Sequence, residues 1–143
     1  MIAPDLQRSR SLQFNTSHSG EFLLLGCSWD GAIGVDLEAP RPLSDRQILK
    51  LAQRFFLPPE LECLERCEGE ARSALFLRYW TCKEAYLKAT GWGLSALQLA
   101  PIVWDGDDLP LPITDQDGQR GMMQVLRLGS GYPGAIAAIV SRG

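Results

Sequence analysis

Ile33-Gly34-Val35-Asp36-Leu37-Glu38 is the stretch that decides the fold prediction, because an apolar, β-prone run ends there in two carboxylates. Asp36 and Glu38 are two residues apart, so on a strand both side chains point to the same face. A hard divalent cation prefers oxygen ligands of this kind. The stretch therefore predicts a strand that ends at a cation site.

A second segment, Trp80-Thr81-Cys82-Lys83-Glu84-Ala85-Tyr86-Leu87-Lys88, has a helical pattern. Glu84 and Lys88 are four residues apart and share one side of the helix, with Lys83 beside them. By themselves they would be an ordinary helical ion pair. Combined with the two carboxylates of the first segment, they suit Mg²⁺ carrying a polyphosphate, since lysines neutralise the remaining phosphate charge. The predicted reaction class is phosphoryl transfer.

Size and composition are those of one globular domain. The chain has 143 residues, of which 45% are hydrophobic and 22% charged, and its net charge is −3. A chain of this length can bury a core without disulfides or a structural metal. The net negative charge argues against general nucleic-acid binding. We find no apolar run of membrane-spanning length and no secretory signal, so we expect a cytoplasmic protein without membrane contact.

The cysteines do not predict a metal site or a disulfide framework. Cys27, Cys63, Cys67 and Cys82 form no C-x-x-C pair, and His18 is the single histidine of the chain. A zinc site is therefore not expected. We predict four free thiols.

Basic residues concentrate in the middle of the chain, where nine of the fourteen lie between Arg41 and Lys88. Arg46, Lys50 and Arg54 recur every four residues and predict a basic ridge along one side of a helix. The ridge is either a solvated outer face or a docking surface for an acidic macromolecule.

The remaining pattern predicts a single α+β domain over residues 1–143, with residues 1–12 as an irregular leading segment. Residues 14–20 are rich in turn-forming side chains. We expect residues 22–27 to form a buried strand that pairs with 32–37 in a hairpin. Further strands are predicted near 97–104, 122–128 and 135–140, and helices over 44–56, 59–64 and 70–90. The expected architecture is an antiparallel sheet packed against the long helix.

Three segments, in this order, resemble the signature blocks of the Sfp-type 4′-phosphopantetheinyl transferases. They are Phe14-Asn15-Thr16-Ser17-His18-Ser19, Gly34-Val35-Asp36-Leu37-Glu38 and the segment 80–88, which is followed by Gly91-Trp92-Gly93-Leu94. The order and spacing make the resemblance specific, and it extends from about Leu12 to the last predicted strand.

The resemblance implies transfer of the 4′-phosphopantetheine arm from coenzyme A to a serine of an apo carrier protein, which releases 3′,5′-adenosine bisphosphate. The implied magnesium ligands are Asp36, Glu38 and Glu84. Glu84 is also implied as the base that takes the serine proton, directly or through a water molecule, so the catalytic set is Glu84, Lys88 and Asp36.

Four further contacts to the coenzyme follow from the same resemblance. Lys83 and Lys88 would contact the phosphates. Ser17 and His18 would hold the adenosine 3′-phosphate end. The carrier protein, which is acidic in this family, would be the macromolecular partner.

The chain departs from the family pattern in length. Sfp-type enzymes contain two similar halves with coenzyme A in the cleft between them, and this chain resembles either the second half of such an enzyme or a short single-half form. The face that packs against the other half should then be apolar, and a homodimer or other homo-oligomer is the simplest way to cover it. The alternatives to an active transferase are a truncated or degenerate domain without turnover and a module that binds carrier proteins.

Overall fold

A computed structural model describes residues 11–29, 31–91 and 110–140. The elements are β1 (Gln13–Ser19), β2 (Phe22–Ser28), β3 (Ile33–Leu37), α1 (Asp45–Phe55), α2 (Pro58–Arg66), α3 (Gly69–Thr90), β4 (Leu111–Thr114), β5 (Arg120–Arg127) and β6 (Pro133–Ile139). The predicted α+β class and the antiparallel sheet with its long helix are confirmed. The strand predicted near 97–104 lies outside the described residues.

The main sheet has four antiparallel strands in the order β3-β6-β5-β4, and β1 with β2 forms a separate two-stranded hairpin. The prediction that residues 22–27 pair with 32–37 is therefore wrong, because β2 pairs with β1 and β3 pairs with β6. Residues 14–20, expected as turn-rich, are largely strand β1. The expected burial of β2 is also wrong, since Leu23 and Leu25 are 66% and 57% exposed.

The helices begin and end where local chemistry predicts. Ser44 caps α1 in a reciprocal capping box with Gln47. Two prolines open α2. Gly91 ends α3 in the left-handed conformation, with φ of 79°. These three boundaries depend on neighbouring residues alone, which is why the sequence was sufficient to predict them.

Polar side chains of β1 accept hydrogen bonds from the backbone of β3, as the backbone of a neighbouring strand would do. Asn15 accepts from the backbone N–H of Val35 at 2.9 Å, and Ser17 accepts from that of Leu37 at 3.1 Å. Ser19 accepts in the same way from the N–H of residue 39 at 2.9 Å. The edge of β3 that faces away from β6 is thereby satisfied.

Helix α3 packs across β3 and β6, and the approach to β3 is close because Gly34 has no side chain. A Cβ built at Gly34 would overlap the carbonyl oxygen of Ala85 and lie 2.5 Å from the amide nitrogen of Ala89 and 2.9 Å from Cβ of Lys88. Backbone touches backbone at this point. The segment that carries the first two carboxylates is thus fixed against the helix that carries the third.

Replacement of Gly34 by alanine should destabilise the protein by about 3 kcal/mol, because strand and helix must separate to admit one methyl group. Urea denaturation would measure the loss. Gly129→Ala is the matched control, since a Cβ there meets no atom within 4 Å, and its effect should stay within about 0.5 kcal/mol. Equal stabilities for the two variants would contradict the close packing at Gly34.

Candidate active site

Asp36 is a buried carboxylate near the end of β3, and its two oxygens have different surroundings. Oδ1 accepts a hydrogen bond from the hydroxyl of Ser17 at 3.1 Å and lies 3.8 Å from Nζ of Lys88. Oδ2 is buried and has no hydrogen-bond partner among the described residues. A buried carboxylate oxygen without a partner is costly and calls for a cation or a donor.

Lys88 reaches from α3 to both neighbouring strands. Its ammonium donates to the carbonyl oxygen of Thr16 at 3.1 Å and to that of Val35 at 2.9 Å. A lysine ammonium has three N–H donors, so one remains beyond these two bonds. The side chain is 31% exposed, whereas that of Asp36 is 9% exposed.

Three carboxyl groups near Lys88 have raised pKa values. Burial raises the pKa of Asp36 to about 7, and the charge of Glu38 adds to the effect, whereas Lys88 and the Ser17 hydrogen bond oppose it. Burial raises the pKa of Glu38 against the attraction of Arg41. Burial also raises the pKa of Glu84, with Lys88 opposing. Among the described residues, three carboxyl groups thus share the ammonium of Lys88, and Arg41 attracts only Glu38.

The predicted acidic residues Asp36, Glu38 and Glu84 therefore lie close enough for their charges to affect one another. Their oxygens do not converge on one point, since no three Asp, Glu, Cys or His side chains within 11–29, 31–91 and 110–140 are gathered as around a bound ion. The donor chemistry nevertheless fits a hard divalent cation, because the cluster offers carboxylate oxygens and one of them, Oδ2 of Asp36, is buried without a hydrogen-bond partner among the described residues.

Ser17 and His18 lie on opposite faces of β1, as neighbours on a strand must. Ser17 is buried and contacts Asp36, whereas His18 is exposed on the outer face of the hairpin. The structure thus brings Ser17, but not His18, to the acidic cluster. The Ser17 hydroxyl already donates to Asp36 and accepts from Leu37 within the protein.

The position of Lys83 does not agree with the expectation that this residue contacts phosphate. Its side chain is 0% exposed and its ammonium lies 2.8 Å from Oε1 of Glu60 on α2. Burial lowers the pKa of Lys83, and Glu60 opposes that shift. The helical turn explains the difference from Glu84: adjacent residues point about 100° apart, so one faces the site and the other the interior.

Sequence reasoning missed the structural role of the alternating polar residues Asn15, Ser17 and Ser19. Their spacing of two was the available signal, because it is typical of one face of a strand. The frequency of turn-forming residue types in the same segment concealed it.

The four cysteines are free, as predicted. None of the described helices is long and apolar enough to cross a bilayer.

Fold and site together define an α+β domain in which a strand and a helix present an acidic cluster beside one lysine. The sequence profile described as "ACPS: 4′-phosphopantetheinyl transferase superfamily" matches residues 32–136. That is most of the chain, and the protein therefore belongs to the 4′-phosphopantetheinyl transferase superfamily. The hairpin β1–β2 lies upstream of the matched region.

Curated relatives agree with this membership. The chain is 51% identical over 97 residues to the 4′-phosphopantetheinyl transferase HetI of Nostoc. This matched region covers 68% of this chain and 40% of HetI. The chain is 36% identical over 93 residues to the 4′-phosphopantetheinyl transferase Sfp of Bacillus subtilis, covering 64% and 38% respectively. The chain thus spans about two fifths of the length of these relatives.

Among solved structures, the chain is similar to the holo-[acyl-carrier-protein] synthase of Thermotoga maritima. The TM-score is 0.45 and the sequence identity 14%, over 79% of this chain and 65% of that one.

Replacement of Asp36 by asparagine tests the electrostatics of the cluster. The folded pKa, about 7, is above the ordinary value of 3.8, so the folded state binds the proton more tightly. The stability that this proton contributes is complete below pH 3.8 and is lost as the pH rises through 7. An asparagine side chain does not titrate, so the variant should escape this loss.

The difference in unfolding free energy between Asp36→Asn and the parent should therefore shift by about 3 kcal/mol in favour of the variant from about pH 5 to about pH 8.5. Urea denaturation of both proteins in a chelator-containing buffer measures it. A difference that is the same at both pH values would show that Asp36 has an ordinary pKa.

Proposed function

We propose that this protein transfers the 4′-phosphopantetheine arm of coenzyme A to a serine of an apo carrier protein, with Mg²⁺ as cofactor. The observation that carries the proposal is the grouping of Asp36, Glu38 and Glu84 beside Lys88. Membership of the superfamily supports the reaction class. In the reaction the serine oxygen forms a bond to the β-phosphorus of coenzyme A, the pyrophosphate P–O bond breaks, and 3′,5′-adenosine bisphosphate leaves.

Asp36, Glu38 and Glu84 are the proposed magnesium ligands. Within the described residues Oδ2 of Asp36 has no hydrogen-bond partner, which supports this role, because a cation would satisfy it and relieve the repulsion among the carboxylates. When bound, Mg²⁺ supplies positive charge that stabilises the pyrophosphate oxygens.

The side chains of the protein supply proton transfer and orientation. Glu84 takes the proton of the serine hydroxyl, directly or through a water molecule. Lys88 is held by two carbonyl oxygens and offers its remaining N–H to a phosphate oxygen. Ser17 keeps Asp36 in position. His18 is exposed and is the proposed contact for the adenosine 3′-phosphate.

The protein would work as a homodimer or other homo-oligomer. The support is the outer face of the β1–β2 hairpin, where large apolar side chains are exposed: Phe14 by 68%, Leu23 by 66%, Leu25 by 57% and Trp29 by 59%. An apolar patch of this kind is usually covered by a partner. A second copy would complete the two-part arrangement that the resemblance implies.

An acidic carrier protein is the proposed partner, and α1 the proposed docking element. Arg46, Lys50 and Arg54 are exposed along that helix, as the predicted basic ridge requires. A groove of about 910 Å³ opens beside the loop from β3 to α1, and Arg41 and Arg78 are among its lining residues. A cytoplasmic location fits the free thiols, including the exposed Cys27.

The intact mass of an apo carrier protein after incubation with this protein, coenzyme A and Mg²⁺ tests the function. We expect a gain of one phosphopantetheine arm that is absent without Mg²⁺. Glu84→Gln should lower the rate by about 100-fold or more, because the base is lost, and Asp36→Ala should abolish transfer. Light scattering of the same preparation should give a mass above that of one chain.

Glu62→Gln is the matched control, since Glu62 is an exposed glutamate of α2 away from the cluster, and its rate should equal that of the parent. If a characterised transferase modifies the same carrier and this protein does not, the chain is a superfamily domain without turnover. Equal rates for Glu84→Gln and the parent would refute the assigned base.

Arg46→Ala tests the docking surface. We expect kcat/KM for the carrier to fall roughly threefold with kcat unchanged, and its dependence on salt to weaken, because a peripheral charge acts mainly on association. Initial rates at low and high salt measure both effects. Arg120→Ala, an exposed arginine on β5, should leave both unchanged. Identical behaviour of the two variants would exclude α1 as the docking element.

A further inference from the structure

Helix α3 is buried around nearly its whole circumference in its second half. From Thr81 to Leu87 every residue is buried except Glu84, which is partly buried. The sheet covers one side of the helix, and α1 and α2 pack against another. A helix with one apolar stripe has its rotation set by that stripe. Because α3 has none here, apolar burial by itself leaves the angle of the helix about its axis weakly defined.

Two specific contacts do define that angle. On the strand side, Gly34 admits the backbone of α3 at Ala85 and Ala89. On the α2 side, Lys83 makes its 2.8 Å ion pair with Glu60, and both side chains are almost completely buried. At about 100° per residue, Lys83 and Ala85 are about 200° apart and so lie on nearly opposite sides of the helix.

The pair is tied to the rest of α2 and its surroundings. Oε1 of Glu60 also accepts the backbone N–H of Leu57 at 2.8 Å, which fixes the carboxylate at the first turn of α2. The ammonium of Lys83 lies 5.2 Å from the centre of the Phe56 ring. The acceptor is thus a rigid point against which a rotation of α3 would break an ion pair.

We propose that the Glu60–Lys83 ion pair is a rotational lock for α3. Glu84 lies halfway between Lys83 and Ala85 in sequence and in angle, so a helix held on both sides presents Glu84 towards Asp36. Lys88 is fixed by the same rotation. Glu60 and Lys83 are positioning residues, and the catalytic part of this inference rests on the proposed function.

Stability is a weaker explanation for the pair. A buried ion pair can often be replaced by uncharged residues of similar volume without loss of stability, and the best-attested use of such groups is to select one register among several. The partner of Lys83 also lies on a different element from the acidic cluster, so the pair does not belong to the cation site.

The K83M/E60Q double variant tests the lock, because it removes the ion pair, leaves no unpaired charge and keeps an oxygen for the N–H of Leu57. Hydrogen exchange of the amides of α3 is the first readout. We expect exchange of residues 83–88 to accelerate about tenfold or more relative to residues 76–79, since loss of the lock frees that part of the helix first.

Turnover is the second readout. We expect kcat to fall about 10- to 100-fold with KM for coenzyme A changed less than about threefold, because a displaced Glu84 affects the reaction more than binding. A uniform change in exchange along α3 would overturn the lock, since it would indicate a role in stability only. If the parent protein transfers no phosphopantetheine, the proposed function fails and the exchange pattern decides the lock by itself.

Thr81→Val is the matched control. Thr81 is fully buried on α3, and its hydroxyl donates to the carbonyl of Arg78 in the same helix, so its removal breaks no contact between elements. Its exchange pattern and kcat should equal those of the parent.

A measurement on the unmodified protein covers the case in which the double variant does not fold. With the lock intact, amides of residues 83–88 should exchange only through global unfolding, as those of 76–79 do. Faster exchange in 83–88 through local opening would overturn the proposal.

Discussion

The contact on which the structure depends is the one between Gly34 and α3. Because Gly34 has no side chain, the strand and the helix meet backbone to backbone, and Cβ of Lys88 is part of that contact. The rest of the Lys88 side chain then extends across β3 to the carbonyl oxygens of Val35 and Thr16. One missing methyl group thereby places the ammonium beside Asp36.

The acidic cluster is maintained against its own electrostatics. Burial raises the pKa of Asp36, Glu38 and Glu84 at once, and the charge of Lys88, joined at Glu38 by that of Arg41, opposes the shift only in part. Holding three carboxyl groups together is electrostatically unfavourable in the protein alone. A bound cation would make the same arrangement favourable, because it attracts all three carboxylates. Strain of this kind is typical of ligand sites, where the surrounding fold has to hold groups that would otherwise move apart.

Lys83 and Lys88, the two lysines of the segment 80–88, are five residues apart and have different roles in the structure. Lys88 lies at the edge of the cluster and remains partly exposed, whereas Lys83 is enclosed between α3 and α2 with Glu60. The same charge lies beside the acidic cluster at one position and links two helices at the other. The distinction matters because a motif gives both lysines the same appearance.

Local sequence was sufficient for everything that depends on near neighbours along the chain. It determined the helix boundaries at Ser44 and Gly91, the strand that carries Asp36 and ends just before Glu38, and the helix around Glu84, since capping, periodicity and charge spacing act within a few residues. The tertiary structure decided which strands pair, which face of β1 meets Asp36, and that Lys83 points inwards. These outcomes depend on residues far apart in sequence: β3 pairs with β6 about a hundred residues later, and the partner of Lys83 lies on another helix. No local pattern contains such distant neighbours, because they come together only when the chain folds.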